Sequence, residues 1–404
     1  MISFEQALHT VLDAADSATL FPEVPCERTS LAECCGRVLQ QEVYADRDTP
    51  PFNKSAVDGY ACIFADLEQE HTMRLLEVIP AGREPKHSVK QGCCSKVMTG
   101  AMVPQGAECV LMVEDSFEEN GAVRSIGAGA GKLGRKTNIC LKGEDLAAQT
   151  LLLSSGTLLK SQHIAMLAAY GYTELCVSVR PKVGIISTGD ELVEPDVVPS
   201  SVQIRNSNGW QLLSQSKEAG ALATYYGIAQ DHPNSLAPLL AISMKENNVV
   251  ILSGGVSMGD FDIVPDTARR LGINILFDRV AVQPGKPTTF GVGKGCYFFG
   301  LPGNPVSSFV QFELMVKPFI MKFMGAQCAP VSLRLPLSRP YTRKQSNRMA
   351  HLPASIDPSG CSCSLIDYHG SGHITALDRA QCLVRIPVGV TSVAAGESVE
   401  IILL

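Results

Sequence analysis

Val249 to Asp262 reads VVILSGGVSMGDFD. Its first four residues are apolar and mostly β-branched, a composition that predicts a buried strand. Ser253-Gly254-Gly255 follows at once. Two glycines let the backbone turn sharply and approach a ligand with no Cβ in the way. The hydroxyls of Ser253 and Ser257 and the carboxylates of Asp260 and Asp262 then stand just past the strand's end. In an open α/β sheet, ligands bind at that end of the strands. An ordinary strand-to-helix turn reads the same in isolation, so the surrounding chain has to decide.

Working outward, the same pattern repeats. Residues 182–187 (KVGIIS) predict a strand, with Thr188-Gly189-Asp190-Glu191 at its exit. A helix is expected over 208–220, a strand over 224–228 leading to Asp231, and helices over 236–244 and 264–271. Residues 297–300 predict another strand, followed by LPGNP. Strand and helix alternate throughout, which argues a doubly wound α/β domain with a parallel sheet. The acidic or glycine-bearing tips at Asp190, Glu191, Asp231, Asp260, Asp262 and Gly303 should therefore gather on one edge. In Pro302-Gly303-Asn304-Pro305 two prolines stiffen the loop, and the helix from about Val306 turns its N-terminus, an anion site, toward that edge.

The flanks read differently. Residues 4–15 have helical apolar spacing, and a short helix is expected over 29–35, stopped by Gly36. Residues 75–126 alternate short strands with turns. Residues 127–145 are glycine-rich and cationic (Lys132, Arg135, Lys136, Lys142). A helix over 161–170 with Gly171 as its cap follows. After Gly325 the chain shifts to short apolar runs and turns, predicting a small all-β domain in which residues 369–373 (HGSGH) form a turn. The expected organisation is a two-segment linker domain (1–42 and 147–179), an inserted β-rich domain (43–146), the α/β domain (180–325) and a C-terminal small β domain (326–404).

Length, charge and cysteine usage exclude several classes. With 404 residues the chain exceeds one core. Its net charge of −6, without a long Lys/Arg run, argues against nucleic-acid binding. No apolar run is long enough for a membrane span, and the amphipathic, acidic N-terminus is no signal peptide. Fourteen cysteines without a CxxC spacing read as reduced thiols of a cytoplasmic protein.

Taken in order, the stretches PFNKSAVDGYA (51–61), MTGAMVPQGAECVLMVED (98–115), KGEDL (142–146), ISTGDEL (186–192), SGGVSMGDFD (253–262), PGKP (284–287), GLPGNP (300–305) and GSGH (370–373) span nearly the whole chain. Together they resemble the MoeA-type molybdopterin molybdenumtransferases, the family that includes the E domain of gephyrin. The resemblance implies a multidomain α/β plus β architecture whose α/β domain binds molybdopterin. It implies a homodimer, with a cleft between the α/β domain of one subunit and the inserted domain of the other. The implied reaction takes molybdate and adenylated molybdopterin and yields molybdenum cofactor and AMP. Asp58, Thr99, Asp145, Glu191, Asp231 and Asp262 are the implied catalytic residues. Asp190, Glu191 and Asp262 are candidate ligands for Mg²⁺, a hard cation that takes carboxylate oxygens. Substrate binding falls to Ser253, Gly254, Gly255, Ser257, Arg279, Lys286, Pro302, Gly303, Asn304, Pro305 and Ser371. The implied protein partners are a molybdopterin adenylyltransferase and molybdoenzyme apoproteins.

Two positions depart from the family pattern. Gln283 stands where a Lys usually precedes PGKP, and Cys140 stands where an Arg usually follows the Asn-Ile pair. Each change removes a cation from a site that handles anions, with Arg135, Lys136 and Lys142 close in sequence to Cys140. The alternative to a working transferase is therefore a catalytically weakened paralogue, acting as a molybdopterin-binding or peptide-binding scaffold.

Overall fold

Val249–Ser253 is fully buried and lies inside a six-stranded sheet. The computed structural model describes residues 1–16, 25–126, 134–255, 263–327, 331–367, 370 and 372–404. The chain divides into two units: 1–41, 155–164 and 174–404 form the larger, and 42–154 with 165–173 the smaller.

In the larger unit the strand order is Leu222–Ala229, Lys182–Thr188, Val249–Ser253, Tyr297–Leu301, Thr289–Val292, Asn274–Phe277. The first four run parallel, Thr289–Val292 runs antiparallel to them, and Asn274–Phe277 is antiparallel to Thr289–Val292. Side-chain alternation splits the central strand between two cores. Val249 and Ile251 pack on one face with Phe4, Leu212 and Phe319, and Val250 and Leu252 on the other with Leu236, Leu240, Val264 and Ala268. Helices thus cover both faces, which is the doubly wound arrangement. From Lys182–Thr188 the chain first moves outward to Leu222–Ala229, then returns to Val249–Ser253 on the opposite side. That reversal creates a crevice at the carboxyl ends of the two inner strands.

A second six-stranded set builds the C-terminal sheet, in which Val282–Gln283 pairs in parallel with Met349–Ile356. The β-rich C-terminal part therefore takes a strand from the segment preceding it. Cys26–Ser30 is a strand antiparallel to Glu174–Ser178, and only Leu31–Glu33 forms a single 3₁₀ turn. The helix expected over 29–35 is thus corrected: backbone pairing with a segment far along the chain overrides local preference.

The smaller unit contains a six-stranded sheet ordered Cys109–Met112, Gly59–Cys62, Cys93–Val97, Met73–Ile79, Ala122–Ser125, Ser116–Glu119. Gly59 is required there: a Cβ would sit 2.2 Å from the Leu111 carbonyl oxygen. Every described cysteine is a free thiol.

Candidate active site

A cavity of about 510 Å³ opens at the reversal point of the large sheet. Ser187 and Thr188 reach it from one inner strand, and Ser253, Gly254 and Gly255 from the other. Pro302, Gly303, Asn304 and Pro305 close a further side, and Glu191 and Asp231 supply carboxylates. Nine of the residues singled out in the sequence thus meet in one place. The turn itself needs its glycines. Gly254 has φ +101, and a Cβ there would lie 2.2 Å from the Thr188 carbonyl oxygen. Gly255 has φ +59 and would press on Val264 at 2.7 Å. Gly303 is different, since a Cβ would meet only Gly254 Cα at 3.5 Å, an ordinary contact.

The carboxylates are oriented by local bonds. Thr188 Oγ1 donates to Asp231 Oδ1 at 2.7 Å, and the Asp231 N–H donates to Asp190 Oδ1 at 3.0 Å. Asp190 lines an adjoining cavity of about 540 Å³ that shares Asp231 with the first. Glu191 folds back over Gly189, where a Cβ would come within 2.7 Å of Oε2. Behind them, burial and a hydrogen bond to Glu194 push the Tyr225 hydroxyl pKa up. Tyr225 therefore stays neutral and accepts from Asn206 Nδ2 at 2.6 Å.

In the smaller unit, Asp58 and Thr99 meet. The Thr99 N–H and Oγ1 donate to Asp58 Oδ1 at 2.6 and 2.8 Å. These bonds, the backbone one foremost, hold the Asp58 carboxyl below the usual carboxylate range. Asp145 is exposed, and its N–H donates to the Thr49 carbonyl at 3.0 Å. Cys140 pairs with Lys54 in a two-residue ladder. Lys142 Nζ lies 3.4 Å from Asp48, and Arg135 Nε lies 3.7 Å from Glu108. Those two cations already face carboxylates, so neither is a free replacement for an Arg at 140.

Three family models match the chain in succession. They are the MoeA N-terminal region (domain I and II) over residues 2–171, the probable molybdopterin binding domain over 184–322, and the MoeA C-terminal region (domain IV) over 334–404. A molybdopterin molybdenumtransferase of Staphylococcus epidermidis is 32% identical, over 94% of this chain and 92% of its own length. The chain belongs to the MoeA-type molybdopterin molybdenumtransferase family. A Staphylococcus aureus transferase of the same name is 31% identical over 94% of this chain and 91% of its own. The crystal structure of a molybdopterin biosynthesis MoeA protein from Pyrococcus horikoshii OT3 superposes with a TM-score of 0.85 at 29% identity, covering both chains completely.

In this transferase two expected cations do not line the cavity. Arg279 is exposed, and its carbonyl accepts the Ile2 N–H. Lys286 is half-buried next to Pro287, which does line it. Among the described residues the cation lining the cavity is Arg205, whose Nε donates to the Val197 carbonyl at 3.2 Å. Arg205 and Asn208 escaped the sequence reading. The polar run Arg205-Asn206-Ser207-Asn208 leading into a helix that begins at Asn208 was the available signal, because such residues favour helix starts. Gln283 lines a separate cavity of about 350 Å³ with Tyr341, Leu352, Leu365, Ile366, Asp367 and Gly370. Ser257, Asp260, Asp262 and Ser371 lie outside the described residues.

Proposed function

We propose that this cavity holds adenylated molybdopterin while molybdenum from molybdate is inserted into the pterin dithiolene, with release of AMP and formation of molybdenum cofactor. The observation that carries this reading is the convergence of the 253–255 turn, the 302–305 loop, Glu191 and Asp231 at the reversal point of the sheet, in a member of this transferase family. The test is AMP release from adenylated molybdopterin by the purified protein. AMP should appear when molybdate is added, and its absence would reject the reading. No observation favours the scaffold alternative.

The residues divide the work as follows. The N–H groups in the first turn of the helix that begins at Pro305 face the anionic groups, the Gly254-Gly255 turn leaves room for them, and Arg205 adds positive charge. Asp231, oriented by Thr188, accepts a proton from the water that attacks the phosphoanhydride, so that its bridging P–O bond breaks and AMP and the molybdopterin phosphate separate. Asp58, ionised at neutral pH, acts on water or on the bound oxyanion, with Thr99 fixing its position and Asp145 assisting. For Mg²⁺ the donor chemistry fits. Asp190 and Glu191 offer only oxygens, and Glu191 sits in the space that a side chain at Gly189 would fill. Mg²⁺ is commonly held by one or two carboxylates together with substrate phosphates. Among the described residues no three His, Cys, Asp or Glu side chains form a cage. The proposed ligands are therefore Asp190 and Glu191, with Asp262. Bound there, the ion offsets phosphate charge. Ser257 and Ser371 remain proposed substrate contacts, and Arg279 and Lys286, outside the lining, are proposed to add positive charge at longer range.

The proposal extends to a homodimer in which Asp58, Thr99 and Asp145 serve the cleft of the partner subunit, and to a cytoplasmic location. Among the described residues no helix is long and apolar enough to cross a membrane. It also keeps the division into linker, inserted, α/β and C-terminal domains at 42, 146, 179 and 325. Pairing of Cys26–Ser30 with Glu174–Ser178 supports a linker domain built from two chain segments. A molybdopterin adenylyltransferase and molybdoenzyme apoproteins are the proposed supplier and recipients.

A further inference from the structure

Asn208 is the first residue of the helix Asn208–Glu218, and it is buried. Its Nδ2 donates to Ser253 Oγ at 2.8 Å and to the Gly303 carbonyl at 2.7 Å. The Gly303 carbonyl can only accept, so the amide has one sensible orientation, with Nδ2 toward the two loops. Among the described residues its Oδ1 is buried without a hydrogen-bond partner. Such an orphaned acceptor is destabilising, and an apolar side chain of similar size would avoid it. The amide is therefore useful here for its two donated bonds. The helix start that carries it is itself anchored. Asn206 Oδ1 accepts from Ser187 Oγ at 3.2 Å and from the Gly209 N–H at 3.1 Å. Gly209 also packs so closely on Tyr225 that a Cβ would come within 2.7 Å of its ring.

One side chain from a third element thus joins the ends of two neighbouring strands. We propose that Asn208 is a positioning residue of the transferase reaction. It clamps the Ser253-Gly254-Gly255 turn to the 302–305 loop and so sets the spacing of the groups that hold the anionic part of adenylated molybdopterin. The clamp rests on the reading of this cavity as the molybdopterin site. The Gly254 N–H is already taken by the Leu301 carbonyl at 3.1 Å, so the separation of the two loops decides how a ligand resting on the 253–255 turn meets the N–H groups of the helix that begins at Pro305. Misplacement on the ångström scale weakens such an arrangement severely.

Two variants test it. Asn208→Leu keeps the number and branching of the side-chain heavy atoms, at a larger volume, and removes both donors. Asn208→Asp keeps the shape but donates only when its carboxyl is protonated, and then one of the two bonds. Equilibrium binding of adenylated molybdopterin without molybdate, and AMP release with it, would be followed across pH and compared with wild type. Asn208→Leu should bind about tenfold or more weakly and lose turnover as well, with a lowered melting temperature because two buried acceptors lose their donor. Asn208→Asp should recover toward wild type as the pH is lowered, whereas Asn208→Leu should not. A purely structural role predicts no such pH-dependent rescue. The proposal is overturned by wild-type binding and turnover in Asn208→Leu, or by an Asn208→Asp variant that tracks Asn208→Leu at every pH. Should Asn208→Leu fail to fold, the pH response of Asn208→Asp decides by itself. A wild-type protein that binds the ligand yet releases no AMP would instead reject the assigned reaction, and the binding comparison would still judge the clamp.

Discussion

Asp58 shows how a single residue is tuned by its neighbour. Its Oδ1 takes two bonds from Thr99, which stabilise the carboxylate and lower its pKa. Thr99→Val removes the hydroxyl bond and keeps the backbone one, so the Asp58 pKa should rise toward its ordinary value. If ionised Asp58 takes part in the chemistry, the acid limb of the pH profile of AMP release moves to higher pH in that variant. An unmoved limb would remove Asp58 from the titrating groups. Gln283 poses a second residue-scale question. It lines one cavity with Asp367 and Gly370, while Gly372 lines the cavity at the sheet edge. A charge pair at ~4 Å contributes about 1 kcal/mol in water and about 4 at an effective dielectric of 20. Gln283→Lys should therefore lower the molybdate concentration for half-maximal turnover, by roughly tenfold for each ~1.4 kcal/mol regained. It should also steepen the salt dependence. Superimposable molybdate titrations at two ionic strengths would show that position 283 does not act on the anion.

At the scale of elements, the N-terminal helix Phe4–Asp16 and the C-terminal sheet meet around one buried histidine. His351 is fully buried, and among the described residues neither ring nitrogen has a partner. Its ring packs on Phe4 at 4.8 Å, and Arg385 stands opposite it in the ladder. Arg385 in turn bonds Glu5 at 2.9 Å, approaches Glu400 at 3.4 Å and donates to Met349 Sδ at 3.1 Å. Burial first, and then Arg385, push the His351 pKa from 6.5 down to about 3. The folded protein thus binds fewer protons here than the unfolded chain. This contribution to stability is complete above pH 6.5 and is lost as the pH falls toward 3, with a slope of up to roughly 1.4 kcal/mol per pH unit. His351→Leu should flatten the decline of melting temperature across that window while melting close to wild type near pH 8. Parallel declines in the two proteins would show that His351 is not the titrating group.

For the whole molecule the proposed homodimer has a direct test. Asp58 belongs to the smaller unit and Glu191 to the larger. Asp58→Asn and Glu191→Gln chains should each lose most turnover alone, with little change in melting temperature, because exposed carboxylates contribute little to stability. Co-refolded, they should regain activity, since half of the clefts in a mixed dimer would carry both wild-type residues. Mixed dimers that form and stay inactive would reject a cleft shared between subunits.

The sequence alone determined the parts of this protein that depend on near neighbours in the chain. The strand at 249–253, the helices that alternate with strands and the glycine turn at 254–255 were readable from local pattern, as was the family from its ordered motifs. Apolar period, β-branching and the demand of a turn for glycine act over a few residues. Tertiary structure decided what depends on distant partners. Cys26–Ser30, with no buried residue, is a strand only because Glu174–Ser178 pairs with it. Asn274–Phe277 and Thr289–Val292 turn one side of the parallel sheet antiparallel through their mutual ladder and that of Thr289–Val292 with Tyr297–Leu301. Asn208 is an ordinary helix start in sequence. It becomes a clamp because the fold brings residues 45 and 95 positions further along within hydrogen-bond reach of its amide. Bonds of that kind carry no local signature, since backbone topology chooses the partners and the side chain only has to be polar and near.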